Sequence, residues 1–226
     1  MKLYLMLHGL GTPPAQLSAD EKRYWIGEDR FAAIVERMRR TPERIAITFD
    51  DGNKTDVDIA LPILKNAGVT AHFFPLTGRI GTPGYLNEDD IRTLHRSGMM
   101  IGSHGCRHIP WTTIADDAVL EDINRARDVL GAIVEKNIED VAIPFGECDF
   151  RVVRILRRAG FRRVFTSFHG PTLDGDWLIR RECVTADTPE ATIENWIGRT
   201  YGAGDVVYSF LRAAKHVGPA ALWRRH

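Results

Sequence analysis

Ile45-Ala46-Ile47-Thr48-Phe49-Asp50-Asp51-Gly52 runs β-favouring side chains straight into two adjacent carboxylates and a glycine. Such a stretch reads as a strand that must turn sharply where it ends, leaving both acids at its mouth. Working outward, further short β-type runs occur at Leu3-Leu7, Ala71-Pro75, Met100-Gly102, Val141-Ile143 and Arg163-Thr166. Among them, Phe31-Arg40, Val57-Asn66, Asn87-Ser97, Ala115-Lys136 and Phe150-Ala159 carry apolar residues at three- and four-residue intervals, the spacing of amphipathic helices. This alternation predicts an α/β fold in which helices cover a parallel sheet. The residues with chemical capacity follow strands: His8, Asp50, Asp51, His104 and Pro144. In such folds the loops at the carboxyl ends of the strands converge on one site.

With 226 residues, 44% hydrophobic and 27% charged, the chain can bury one sizeable core, and a single domain over residues 1–226 is expected. Thirty basic residues balance thirty acidic ones, so no global field draws the molecule to nucleic acid or an anionic membrane. Arg212, Lys215, Arg224 and Arg225 read as a solvated helix face, with too few aromatics among them for a nucleic-acid platform. A weakly charged small molecule or glycan is the expected partner. Three cysteines are an odd count in a chain of this size and argue against a disulfide framework. Tyr4-Leu7 is too short for the apolar region of a signal peptide, and no stretch has the length of a membrane span. A cytoplasmic protein is expected.

Two adjacent carboxylates disfavour joint ionisation unless a cation stands nearby. Asp50 and Asp51 therefore read either as part of a cation site or as a solvated Asp-Gly turn. Ile101-Gly102-Ser103-His104-Gly105-Cys106-Arg107-His108 is again an apolar run ending in ligand types. Two histidines four apart share a face if the loop enters a helical turn, so both imidazoles can reach one ion. Zinc proteases use the same interval but place Glu after the first His, where this chain has Gly105. The Cys106 thiolate is a further candidate ligand. One carboxylate and two imidazoles leave coordination positions open, as catalytic metal sites require, with one acid to spare. A non-haem iron oxygenase shares that ligand set but leaves Asp50 without a task.

Thr48-Phe49-Asp50-Asp51-Gly52, then His104 and His108, then Pro144-Phe145-Gly146 resemble three successive motifs of the polysaccharide deacetylase family (NodB homology, carbohydrate esterase 4), over Ile45 to Val184. The resemblance implies a distorted (β/α)7-type barrel and a divalent metal, zinc first, with cobalt, nickel or iron compatible. It implies removal of acetyl groups from N-acetylated sugars or glycans. It makes Asp50 the base, Asp51, His104 and His108 the metal ligands, and the Phe145 N–H an oxyanion donor, with Pro144 at the substrate site. A non-carbohydrate amide substrate and a non-catalytic carbohydrate-binding relative are the alternatives.

The chain departs from the pattern at three places. Gly105 replaces the Ser or Thr that usually follows the first His, and Ala142 stands where the family carries an arginine that orients the base. Arg181 resembles an arginine preceding a late strand in relatives lacking the usual one, and is nominated as its replacement; a surface or salt-bridged arginine is the other reading. The general-acid histidine expected late in the chain has no counterpart, since His216 lies in a basic helical stretch and His226 is the last residue. Lys2-Leu3-Tyr4-Leu5-Met6-Leu7-His8-Gly9 resembles the opening of circularly permuted deacetylases, which nominates His8 as the acid, against a structural histidine in a turn. Trp177, in Asp174-Gly175-Asp176-Trp177, and Trp111, after the His motif, are candidate sugar platforms, with turn and core roles as alternatives. His72 reads as packed, and His95 and His169 have no distinguishing partner.

Overall fold

The strands of this protein are buried on both faces, which explains why they read as nearly continuous apolar runs. In a computed structural model, residues 1–41 and 43–217 are described. The strands are β1 (Leu3–Leu7), β2 (Gly9–Leu10), β3 (Trp25–Ile26), β4 (Ile45–Asp51), β5 (Ala71–Pro75), β6 (Met100–Ile101), β7 (Asp140–Ala142), β8 (Arg163–Phe165), β9 (Leu178–Ile179) and β10 (Glu182–Cys183). Every residue of β1 and β5 is buried.

Pairing is parallel throughout the named strands. One sheet runs β10-β1-β4-β5-β6 and another β7-β8-β9, and a parallel bridge from Ser103 to Val141 joins them. Only Arg180 and Arg181 separate β9 from β10, and the Arg181 N–H donates to the Phe168 carbonyl at 2.9 Å. Leu178–Cys183 is thus one bent strand, held by β8 on one side and by β1 on the other. Counted so, β1, β4, β5, β6, β7, β8 and this bent strand make seven parallel strands in a closed ring, the expected distorted barrel. β2 and β3 form a separate parallel pair, whose Leu10 and Ile26 join the core between barrel and helices.

Alternation along β4 sorts its side chains. Ile45, Ile47 and Phe49 join the core between barrel and helices, where Phe49 stacks on Phe73 with ring centroids 4.9 Å apart. Ala46 belongs to a second cluster with Tyr4, Phe74, Ala142, Phe165 and Ile179 that fills the barrel interior. Thr48 and Asp50 continue that inward row, so a two-residue period places Asp50 inside the carboxyl-end mouth.

The expected helices form as Glu28–Arg39, Asp56–Ala67 (whose first turn, Asp56–Ala60, has the wider π geometry), Glu88–Arg96, Asp116–Val134 and Phe150–Arg158. Helices Ala19–Lys22 and Glu190–Gly198 and the short strands β2, β3, β9 and β10 were not anticipated. A last helix spans Ala203–Val217; Arg224, Arg225 and His226 lie outside the described residues, as do the side chains of Arg212 and His216. Among the described residues, no helix is long and apolar enough to cross a membrane.

Candidate active site

Asp50, at the end of the inward row of β4, is buried against a fully buried Arg181. The guanidinium grips it with both ends: Nη1 to Oδ1 at 2.7 Å and Nη2 to Oδ2 at 2.8 Å. Arg181 also donates from Nη1 to Thr48 Oγ1 at 3.1 Å and from Nε to the Thr166 carbonyl at 3.0 Å. Burial pushes the Asp50 carboxyl up, but the charge of Arg181 and its hydrogen bonds overcome it and hold it down to about 2. Arg181 is therefore an internal counter-ion, not a surface residue.

Asp51, one position further, leaves the strand with φ of 78°, a left-handed conformation that a non-glycine residue adopts at a cost. The twist brings it to the two histidines. Its Oδ1 lies 3.6 Å from His104 Nε2 and 3.5 Å from His108 Nε2, and the ligand atoms of the three residues all fall within 4.8 Å of one another. His104 Nδ1 stands 2.9 Å from the Ala142 carbonyl. A carbonyl only accepts, so Nδ1 carries the proton and Nε2 keeps its lone pair for the cluster. His108, at φ 50°, stacks on Phe145 with centroids 4.3 Å apart. Asp51 Oδ1 is buried and has no hydrogen-bond partner. A partnerless buried carboxylate oxygen facing two imidazole nitrogens is a donor set that fits a divalent cation.

The loop from Ser103 to Trp111 is braced from behind by Asp122 of the helix Asp116–Val134. Its carboxylate accepts from the N–H groups of Cys106 and Arg107, each at 3.1 Å, from Arg107 Nε at 3.0 Å and from Trp111 Nε1 at 3.1 Å. Gly105 is required here: at φ 79° a Cβ would come within 2.5 Å of Asp122 Oδ2. Cys106 is buried outside the ligand cluster, which removes it as a candidate ligand.

The two tryptophans correct the sequence reading. Trp111 is fully buried with its indole committed to Asp122, so it offers no face to a sugar. Trp177 donates to the Phe161 carbonyl at 2.7 Å, lies under the Arg157 guanidinium and packs beside the Phe161 core, away from the cleft lining. Pro144 is likewise buried and absent from that lining; its fixed φ starts the 3-10 turn Pro144–Gly146. Phe145 follows at φ 58°, half exposed and on the cleft wall. The first N–H groups of such a turn have no acceptor within it.

His8, just after β1, lines the same cleft, its ring 4.8 Å from that of Tyr24 and its Nδ1 buried without a partner. Burial lowers its pKa, and the opposing pull of Asp51 and Asp50 does not restore it. The cleft, about 420 Å³, brings together Asp50, Asp51, His104, His108, His8 and Phe145.

Sequence reasoning missed other parts of it. Arg79 stands 3.8 Å from Asp51 Oδ2 and 3.4 Å from His108 Nδ1, with its guanidinium over Tyr85. Glu21 and Tyr24 reach the cleft from the β2–β3 connection, and His169 from the loop after β8. Asp56 is fully buried behind the acid pair with neither carboxylate oxygen partnered, and burial, then Asp51 and Asp50, raise its pKa far above the usual range. His72 is packed as expected, in reach of Arg163 at 2.9 Å.

A family model described as polysaccharide deacetylase matches residues 37–164, more than half of the chain, and the chain belongs to that family. Among curated proteins it is 22% identical over 174 residues to the poly-beta-1,6-N-acetyl-D-glucosamine N-deacetylase of Staphylococcus aureus, covering 70% of this chain and 60% of that protein. The chain thus spans about 60% of the length of the curated relatives it matches. Among solved structures, IcaB from Ammonifex degensii superposes with a TM-score of 0.75 at 23% identity. The Streptococcus pyogenes deacetylase PplD, in complex with acetate, superposes at 0.74 and 18%. In both cases 87% of this chain and 97% of the other are covered, and the barrel is the shared fold.

Proposed function

We propose that this chain is a metal-dependent hydrolase that removes the acetyl group from an N-acetylated sugar unit of a glycan, releasing acetate and a free amine. The observation that carries this reading is a buried, arginine-held carboxylate directly beside an Asp-His-His cluster in one cleft. The substrate named for the Staphylococcus aureus relative, a polymer of N-acetylglucosamine, supports a sugar acetamide over other amides. Three cysteines without disulfides support a reducing compartment, the cytoplasm.

Asp51, His104 and His108 would hold the cation, zinc in our reading, which supplies carbonyl polarisation and a water whose pKa falls to roughly 7. Asp50 takes the proton of the attacking water; Arg181 fixes its orientation and keeps it ionised in the resting site. The Phe145 N–H donates to the oxyanion that replaces the acetyl carbonyl. His8 gives a proton to the sugar nitrogen as the C–N bond breaks, so that the amine departs neutral.

Acetate release from a panel of N-acetylated sugars and simple amides, with protein reloaded with zinc, cobalt or nickel, tests the reaction. Release that requires metal and a sugar is the expected result. Release from non-carbohydrate amides alone would reassign the substrate, and none with metal bound would overturn the enzyme reading. His104→Ala removes one ligand and should weaken zinc binding by at least about a hundredfold in chelator competition. Unchanged affinity would show that the metal sits elsewhere.

A further inference from the structure

The catalytic cleft does not end at its far wall. Gly146, Ser167 and His169 line it, and the same three residues line a second cavity, also about 420 Å³, whose remaining lining is Thr112, Glu147, Cys148 and Phe168. The two cavities are neighbours, and Gly146, Ser167 and His169 form the ridge they share.

That ridge is built firmly. Gly146 sits at φ 67°, and a Cβ there would lie 2.0 Å from Ser167 Oγ, so the Pro144–Gly146 turn and the loop after β8 touch backbone to side chain. His169 is pinned through Nδ1 to Glu182 Oε2 at 2.7 Å, and Glu182, itself buried, receives the Gly170 N–H on its other oxygen at 2.9 Å. Glu182 lies next to Arg181 on the bent closing strand, so the ridge is fastened to the strand that positions Asp50.

The lining of the second cavity has a definite chemistry. Phe168, partly buried against the core, contributes apolar surface to the lining. Among the described residues that line it, Glu147, steadied by the Thr112 hydroxyl at 3.3 Å, is the one carboxylate, and there is no lysine or arginine. A neutral acetamide can offer Glu147 only the hydrogen bond of its N–H, and an anionic substituent is repelled. A sugar ammonium is attracted.

We propose that the second cavity is a subsite for a neighbouring sugar unit bearing a free 2-amino group. The inference rests on the deacetylase reading, because the free amine is the product that this reaction leaves on the glycan. An enzyme so built favours N-acetyl units that adjoin units already processed and produces blocks of free amines along a chain.

The test compares kcat/KM of the zinc-loaded full chain on two disaccharides. One is N-acetylated on both units; the other keeps one acetyl and carries a free amine on the neighbouring unit, offered in both orders. One order of the mixed disaccharide should be preferred roughly two- to fivefold, the range of one solvent-exposed charge pair. Glu147→Gln should bring that ratio to about one, and Glu147→Lys should invert it. In parallel, calorimetry follows binding of the fully de-N-acetylated disaccharide to wild type and Glu147→Gln. Weaker binding to the variant is expected, by the same roughly two- to fivefold. Turnover with equal ratios in wild type and Glu147→Gln overturns the subsite while leaving the deacetylase reading intact. Absence of turnover on every acetylated sugar overturns the deacetylase reading; the binding comparison then decides the subsite alone, and equal or absent binding rejects it.

Discussion

Asp50→Asn lowers kcat by about a thousandfold while zinc affinity stays within about twofold of wild type, the size and selectivity expected when a base is removed without disturbing the ligands. The amide keeps the shape of the carboxylate but cannot accept the proton of water, and Asp50 is not among the three clustered ligand residues. The variant also leaves the Arg181 guanidinium without its counter-charge, so thermal unfolding should be followed beside turnover and chelator competition. A variant that folds, binds zinc and turns over at the wild-type rate would remove Asp50 from the mechanism.

Arg181→Met has the largest effect on stability. The guanidinium is wholly buried and donates to Asp50, Thr48 and Thr166. Removing it strands a carboxylate in the barrel, at a cost of about 3–5 kcal/mol in denaturant unfolding. The pH dependence should change sign as well. In the wild type the Asp50 carboxyl is held down to about 2, below its unfolded value near 4. Its contribution, on the order of 2 kcal/mol, is present above about pH 4 and lost as pH falls through about 2. Without the arginine, burial dominates and the folded value rises above the unfolded one. The variant should then gain stability on mild acidification and lose it as pH rises above about 4. A second change, Asp50→Leu, on top of Arg181→Met should restore much of the stability and none of the activity. A stability profile with the same pH slope in wild type and Arg181→Met would show that the pair is not coupled as described.

How far the sequence carried the reading can be seen residue by residue. The strand was legible over Ile45–Thr48, because a strand buried on both faces leaves an apolar run; its continuation through Phe49, Asp50 and Asp51 was not, since two acids before a glycine read as the turn after it. An apolar run likewise made the strand-end histidines legible. Arg181 could only be nominated, since its partner lies 131 residues away and nothing local distinguishes an internal arginine from a surface one. The tryptophans misled because an aromatic beside a motif looks the same whether it faces a sugar or the core; what decided it was where the indole N–H found an acceptor, Asp122 and the Phe161 carbonyl. Strands of two residues, such as β9 and β10, carry no period to detect. His169 was passed over because Glu182, which gives it a role on the ridge, sits on one of those short strands.

The bent strand Leu178–Cys183 seals the ring and also carries Arg181, so shape and reactivity are completed by the same event. During synthesis, β1 and β4 leave the ribosome long before the segment that must lie between β1 and β8. Until that segment docks, Asp50 has no counter-ion and the barrel has an open seam. A chain cut short before Leu178 would therefore lack, in one stroke, the strand that closes the ring and the charge that balances Asp50.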